Sequence, residues 1–534
     1  MFRATDAFVS HGSEWTFPSK APSKPGWARR LLAGTELWVA NPATLALLLF
    51  AVAIAARVAQ FGNPVVQVDD QFYLLVGDRM LHGALPFVDV WDRKPIGLFL
   101  LYAGIRLLGG GGVIQYQIVA TLFAALTAFV IARIALRGTN PHGAAAAGVV
   151  YILYLGVFGG EAGQSPVFYN LLVACAGLTI VRVLERPHFD RISVSLGAAA
   201  MLLIGISLQV KYSTVFEGAL FGVVLMLAAR ADGWPLARVL SAAILWAGIS
   251  ALPTVAAWLV YVAIGHNAEF VQANFLSILA RGSDGTGIAA WRLVQMTLGL
   301  MPLLCASWMA LSVKREAETG VARRVRHFVL TWAVCAIAGV LVFGAYFDHY
   351  ALPLLLPLSL CAAPLFGDPN AGIAIVGGKR TWRISAGLVV MIIATAISIP
   401  AINKNRRDRG WGPQVEKLAA FIQPRLGDGC LFVFHGEPAL YQMTNSCFPT
   451  RWIFPNHLNY RREANALGVD AVAETSRIMA TRPKLVVTST KPERDVNPAT
   501  WAVVQAGLAR DYDLAFAQPV GSRMRLVYQL KSGR

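Results

Sequence analysis

Long apolar runs separated by short polar segments dominate residues 42–401. A membrane helix needs about 20 apolar residues to cross the hydrocarbon core. Runs of that kind fall at 42–60, 115–135, 143–159, 166–184, 193–210, 213–229, 239–264, 291–312, 328–345, 350–366 and 384–401, which predicts eleven transmembrane helices. One further apolar stretch, 95–109, is too short to span comfortably. It reads as a juxtamembrane or re-entrant helix that ends at the hinge-like glycine run Gly109, Gly110, Gly111 and Gly112. Segment 71–82 carries Phe72, Leu75, Val76 and Met80 at helical spacing and is expected to lie flat on the membrane interface. After residue 401 the pattern changes. A polar stretch at 403–409 reads as a linker. Beyond it, β-like runs at 431–434, 484–488 and 524–530 alternate with helical stretches such as 413–422 and 461–480, which predicts a small α/β domain. The expected organisation is an N-terminal cytoplasmic segment 1–41, a transmembrane domain 42–401 with its first outer loop at 61–112, and a C-terminal extracytoplasmic domain 402–534.

Composition narrows the class. Hydrophobic residues fill 56% of the 534 positions and charged residues only 14%, against roughly 25% charged in a soluble globular chain. Mean hydropathy is +0.53. That much apolar surface cannot hide in aqueous cores, and disorder needs the opposite composition, so a polytopic membrane protein is expected. The net charge of +17 would point to nucleic acid if it were clustered. Instead the basic residues are scattered over loops, where anionic headgroups and the positive-inside bias account for them.

Counting Lys and Arg by loop gives the expected orientation. With the N-terminus in the cytoplasm, the inside segments collect Arg3, Lys20, Lys24, Arg29, Arg30, Arg133, Arg137, Arg182, Arg186, Arg191, Arg230, Arg238, Lys314, Arg315, Arg323, Arg324, Arg326, Lys379, Arg380 and Arg383, 20 in all. The outside loops hold only Arg79, Arg93, Lys94, Arg106, Lys211, Arg281 and Arg292. Eleven crossings then put the tail outside a bacterial cytoplasmic membrane, and its 19 basic and 11 acidic residues mark it as solvated. Cys175, Cys305, Cys335 and Cys361 lie in apolar runs and read as small core residues. Cys430 and Cys447 lie outside, where oxidation favours pairing. A strand at 431–434, a helix at 437–443 and a return at Thr444, Asn445 and Ser446 would bring them within the ~4.4–6.8 Å Cα separation of a disulfide; the competing reading is two buried free thiols.

The densest polar cluster in the transmembrane part is the first outer loop. It carries Asp69, Asp70, Asp78, Asp89, Asp92, Arg79, Arg93, Lys94 and His82 between two apolar elements. The sequence Val68-Asp69-Asp70-Gln71-Phe72-Tyr73, followed by Leu85-Pro86-Phe87-Val88-Asp89-Val90-Trp91-Asp92-Arg93-Lys94-Pro95, resembles the first loop of the dolichyl-phosphate-mannose-protein mannosyltransferase-like family. These are bacterial family 39-type glycosyltransferases of the GT-C fold, a group that includes the lipid A aminoarabinose transferases. The usual pattern there is Asp-Glu-x-x-Tyr, then Pro-Tyr-x-Asp-x-Trp-Asp-x-Lys-Pro-Pro; this chain has Asp70 for the Glu and Ile96 for the last Pro. Three weaker elements extend the resemblance: Gly205 to Lys211, Tyr346 to Pro353, and Phe434 to Tyr441.

The resemblance implies transfer of a sugar from a polyprenyl-phosphate donor to a hydroxyl of a cell-envelope glycan, lipid or protein. Such a donor already carries a good leaving group, so the chemistry asks for a base and for positive charge on the departing phosphate. Asp69 matches the family's catalytic Asp, with Asp70 beside it. Lys94, Arg93 and Lys211 fit a phosphate clamp, although snorkelling interface lysines remain the competing reading. Relatives carry a second acidic residue where Glu161 stands, for acceptor or metal. Asp92 and His349 join it as candidates for a divalent ion, the latter against a plain hydrogen-bonded Asp348–His349 pair. The Asp511-Tyr512-Asp513 triplet spells a nucleotide-sugar motif but lies where no nucleotide-sugar is supplied. The alternatives are a lipid-linked glycan polymerase or ligase, which lacks this pair of motifs, and a glycolipid transporter. The latter needs charges along a path through the spans, where only Arg57 and Glu217 stand.

Overall fold

The computed structural model describes residues 36–313, 320–377, 380–491 and 495–532. Among these, eleven helices are long and apolar enough to cross a membrane. They begin with Pro42–Gln60, Val113–Ala135, Pro141–Phe158, Ser165–Glu185, Arg191–Leu208 and Tyr212–Ala231. Leu236–Ala263, Thr286–Ser312, Gly320–Phe343, Asp348–Gly367 and a helix from Ala386 complete the set. Their apolar side chains face outward as well as inward: Ile244 and Trp308 are each 74% exposed, the arrangement of a bundle surrounded by lipid. The chain is a multi-pass α-helical membrane protein. Of the residues weighed for orientation, Arg3, Lys20, Lys24, Arg29, Arg30, Lys314, Arg315 and Lys379 lie outside the described ones, as does most of segment 1–41. Between the last two spans, β1 (Gly372–Gly377) and β2 (Arg380–Ser385) pair antiparallel, a hairpin the apolar pattern did not foretell.

The 95–109 stretch forms an 11-residue helix, Ile96–Arg106. At 1.5 Å per residue it covers about 16 Å, roughly half a bilayer core. It docks on the end of the Arg191–Leu208 span: Leu98 N donates to Gln209 O at 2.9 Å. A Cβ at Gly97 would lie 2.5 Å from Gln209 Cβ, so only glycine permits the approach.

The amphipathic segment corrects the expectation drawn from its spacing. The helix Val68–Met80 does not lie on the lipid surface, because Asp70 to Gly77 are all buried. Two partners enclose it, Ile96–Arg106 on one side and the C-terminal domain on the other. Gln71 Oε1 accepts from Ala439 N at 3.3 Å, and the Phe72 and Phe454 rings lie 4.8 Å apart. The rest of the loop is pinned to the same domain, with Trp91 N donating to Arg451 O at 2.9 Å and Arg79 Nη2 to Ser446 O at 2.8 Å.

Residues 403–409, read from their polarity as a linker, are helical. They continue the last span as part of the helix Ala386–Arg409, which brings Asn405 Nδ2 to Val66 O at 3.1 Å in the first loop. The C-terminal domain holds a four-stranded sheet in the order β3-β4-β6-β5, built from β3 (Leu431–Val433), β4 (Leu485–Ser489), β5 (Tyr512–Val520) and β6 (Arg523–Leu530). β3 and β4 run parallel and the other pairs antiparallel. The 461–480 stretch is not one helix but a short turn, Arg461–Glu463, a loop, and the helix Ala471–Ala480. Cys430 and Cys447 form a disulfide with Cα atoms 4.9 Å apart. The chain returns through Asn445 at φ 48°, and Ser446 Oγ accepts from Leu431 N at 2.8 Å.

Candidate functional site

The five loop carboxylates separate by partner. Asp78 pairs with Arg106 at 2.8 Å, Asp89 Oδ2 accepts from Leu85 N at 2.7 Å, and Asp92 lies 3.2 Å from Lys94 Nζ. Those three hold the loop together. Asp69 and Asp70 occupy the first turn of Val68–Met80, where the helix dipole favours negative charge. Neighbours on a helix point about 100° apart, and these two meet different surroundings. Asp70 Oδ2 accepts from Gly163 N at 2.8 Å, while Asp69 Oδ2 lies 3.4 Å from Gln164 Nε2.

Their ionisation parts accordingly. Burial pushes Asp70 well above the usual carboxylate range, and the charges of Asp69 and Glu161 add to this against the Gly163 bond. Burial also acts on Asp69, but Lys94, His349, the Gln164 amide and Lys211 together outweigh it and hold that carboxyl below its ordinary value. The two neighbouring carboxyls are therefore shifted in opposite directions, Asp69 toward its ionised form and Asp70 away from it. Glu161, 3% exposed, is raised by burial against its bond from Asn405 Nδ2 at 2.9 Å.

The basic residues also divide. Lys94 Nζ lies 5.4 Å from the Tyr73 ring centroid and Lys211 Nζ 4.8 Å from that of Tyr350. Burial and the charge of Lys94 lower Lys211 to about 8. Arg93, grouped with them in the sequence, turns away: it pairs with Glu463 of the C-terminal domain, which also binds Arg281 Nε at 2.9 Å. Despite its burial, Glu463 is driven down to about 2 by Arg93 and Arg281. Lys211 also lines an open cleft of about 490 Å³ with Tyr169, Phe216, Glu217, Phe343 and Tyr350, running down between membrane-spanning helices.

His349 is not paired with Asp348. Its ring stacks on Phe347 and meets Tyr350 edge-on at 4.9 Å. Asp92 lies 4.0 Å from His457. Among the described residues no three His, Cys, Asp or Glu side chains come together as a metal site. Asp92, Glu161 and His349 therefore do not form a donor set that fits a bound ion. Asp511 is tied to Arg510 at 2.8 Å and Asp513 is exposed on β5. Sequence reasoning missed Gln164, Tyr73, Tyr350 and Glu463. Only the Tyr73 and Tyr350 positions within quoted motifs gave any signal, since the others are fixed by loops that meet only in the fold.

The fold carrying this site is shared with membrane proteins of known structure. Two crystal structures of ArnT from Cupriavidus metallidurans superpose on it, one bound to undecaprenyl phosphate and one in the apo state. They give TM-scores of 0.58 and 0.59 at 15% and 16% identity, covering 93% and 90% of this chain and 98% and 97% of those chains. The archaeal oligosaccharyltransferase AglB from Archaeoglobus fulgidus, in complex with an inhibitory peptide and a dolichol-phosphate, gives 0.51 at 11% identity over 87% of this chain and 70% of that one. No family model matches the chain, and no curated protein matches it in sequence. At these identities the likeness is one of fold.

Proposed function

We propose that this chain transfers a sugar, with inversion, from a polyprenyl-phosphate donor to an acceptor hydroxyl at the outer face of the cytoplasmic membrane. The observation that carries the reading is the half-buried Asp69 carboxylate, held below its ordinary value by neighbours that include Lys94 and Lys211, the second of which lines a cleft between the spans. A polyprenyl-phosphate sugar is a lipid tail, a phosphate and an anomeric carbon, and cleft, cations and carboxylate suit them in that order. The undecaprenyl phosphate and dolichol-phosphate bound by proteins of this fold support the donor class. The first-loop pattern supports the finer placement among family 39-type enzymes, and the Lys and Arg bias supports an outward-facing C-terminal domain.

The acceptor oxygen attacks the anomeric carbon on the face opposite the phosphate, and its proton passes to Asp69. The bond from that carbon to the phosphate oxygen breaks, and the monoester leaves against Lys94 and Lys211. A single displacement inverts the centre. The hydroxyl becomes strongly acidic only as the new bond forms, so a positioned carboxylate of low basicity suffices. Asp70, bonded to Gly163 N and pushed by burial away from its ionised form, is the less suited of the two carboxyls to act as base.

Membranes containing wild type and radiolabelled undecaprenyl-phosphate sugars test this. Label should leave the lipid with wild type and stay on it with Asp69→Asn expressed to the same level; equal transfer by both would sink the reading. A reporter active only outside the cytoplasm should light up when fused after residue 410 and stay dark after residue 320, and the reverse would overturn the orientation.

A further inference from the structure

A charge inside a membrane span is costly unless every polar atom is satisfied. Arg57 sits within one turn of the end of the first span and is 2% exposed. Its guanidinium is bonded on three sides: Nη1 donates to Gly160 O at 2.5 Å, Nη2 to Ala162 O at 2.6 Å, and Nε to Thr121 Oγ1 at 3.0 Å. That arrangement leaves no free charge to line a transport path. It holds one loop, 159–165, from the membrane side.

The same loop is held from the outer side. Gly163 N donates to Asp70 Oδ2 at 2.8 Å, and Tyr102 Oη donates to Gly163 O at 2.7 Å. A Cβ on Gly163 would lie 2.2 Å from Tyr102 Oη, so the backbone approaches that closely only because the residue is glycine. With the carbonyls of Gly160, Ala162 and Gly163 all fixed, the next residue is delivered in one position. That residue is Gln164, 2% exposed, whose Nε2 faces Asp69 Oδ2.

We infer that Arg57 is a positioning residue for transfer: from inside the membrane it fixes the 160–162 backbone so that Gln164 orients the Asp69 carboxylate. The inference rests on Asp69 being the base. A carboxylate bonded through one oxygen is restrained in rotation and presents the other to the acceptor hydroxyl. Only a planar fork bridges two carbonyls two residues apart, so lysine would keep the charge and lose the geometry. The Gln164 N–H also favours ionised Asp69, so loosening the loop raises the pH at which the base becomes available.

The test uses the full-length protein in membranes with the radiolabelled undecaprenyl-phosphate sugar that wild type consumes. Arg57→Lys and Gln164→Ala should each lower kcat by about tenfold to a hundredfold, leave KM and undecaprenyl phosphate binding unchanged, and move the acidic limb of kcat/KM to higher pH. The double variant should be no worse than the more damaging single one, because both act through one contact. An acidic limb that stays in place in Gln164→Ala, with Asp69→Asn inactive, would overturn the positioning role alone. Lost undecaprenyl phosphate binding in Arg57→Lys would make the arginine merely structural and also overturn it. Active Asp69→Asn would remove the base assignment and this inference together.

Discussion

On the carboxylate side of the site, Asp70, Glu161 and the 159–165 loop are fixed by amide and guanidinium groups: Gly163 N, Asn405 Nδ2 and the fork of Arg57. On the cation side, Lys94 and Lys211 rest on the rings of Tyr73 and Tyr350, with Asp92 as the nearby carboxylate partner of Lys94. The difference suits the chemistry proposed for each side. A proton acceptor needs a set angle to the attacking oxygen, which rigid bonding supplies. A phosphate that arrives on a lipid and leaves again is better met by point charges on flexible stems. Arg93 makes the contrast sharper: it lies next to Lys94 in sequence, yet it is spent on Glu463 and joins the scaffold.

The largest effect should separate the two aspartates. Asp69→Asn is expected to lower kcat by about 10²–10⁴-fold with undecaprenyl phosphate binding retained. Asp70→Asn should stay within about tenfold, roughly the cost of one altered hydrogen bond, since a neutral Asn oxygen still accepts from Gly163 N. The opposite ranking would show that the two carboxyls had been assigned the wrong way round. Lys94→Ala and Lys211→Ala should act on the donor instead, raising its KM by about tenfold to a hundredfold through loss of a charge-assisted bond. An unchanged KM would return those lysines to the interface.

A smaller effect should come from pH. Lys211 is lowered to about 8 in the free protein by burial and by Lys94, and phosphate prefers its protonated form. Binding of undecaprenyl phosphate should therefore be full below that value and weaken as pH rises through it. Lys211→Arg, charged at every accessible pH, should remove the break. A wild-type curve flat to pH ~10, near the ordinary lysine value, would contradict the burial of this amine.

Spans, the short helix Ile96–Arg106 and the sheet-bearing C-terminal part were legible because each rests on a local pattern of apolar length or alternation. So was the Cys430–Cys447 pair, whose return path is local as well. Asp69, Lys94 and Lys211 were legible as candidates through short motifs, but their separate surroundings were not. The burial of Val68–Met80 was missed because its second partner comes from Ala439 and Phe454, more than 350 residues further along the chain. The pairing of Arg93 was missed for the same reason, since nothing near it in sequence announces Glu463. The 403–409 stretch read as a linker from its polarity alone, yet helical hydrogen bonding continues there regardless of which side chains face water.

The most direct test of the central claim is analysis of both products made by purified wild-type protein from an undecaprenyl-phosphate sugar of known anomeric configuration. One undecaprenyl monophosphate should be released for each sugar transferred, with the new glycosidic bond inverted when read by NMR. A retained configuration, or turnover seen only with diphosphate-linked glycans, would contradict it.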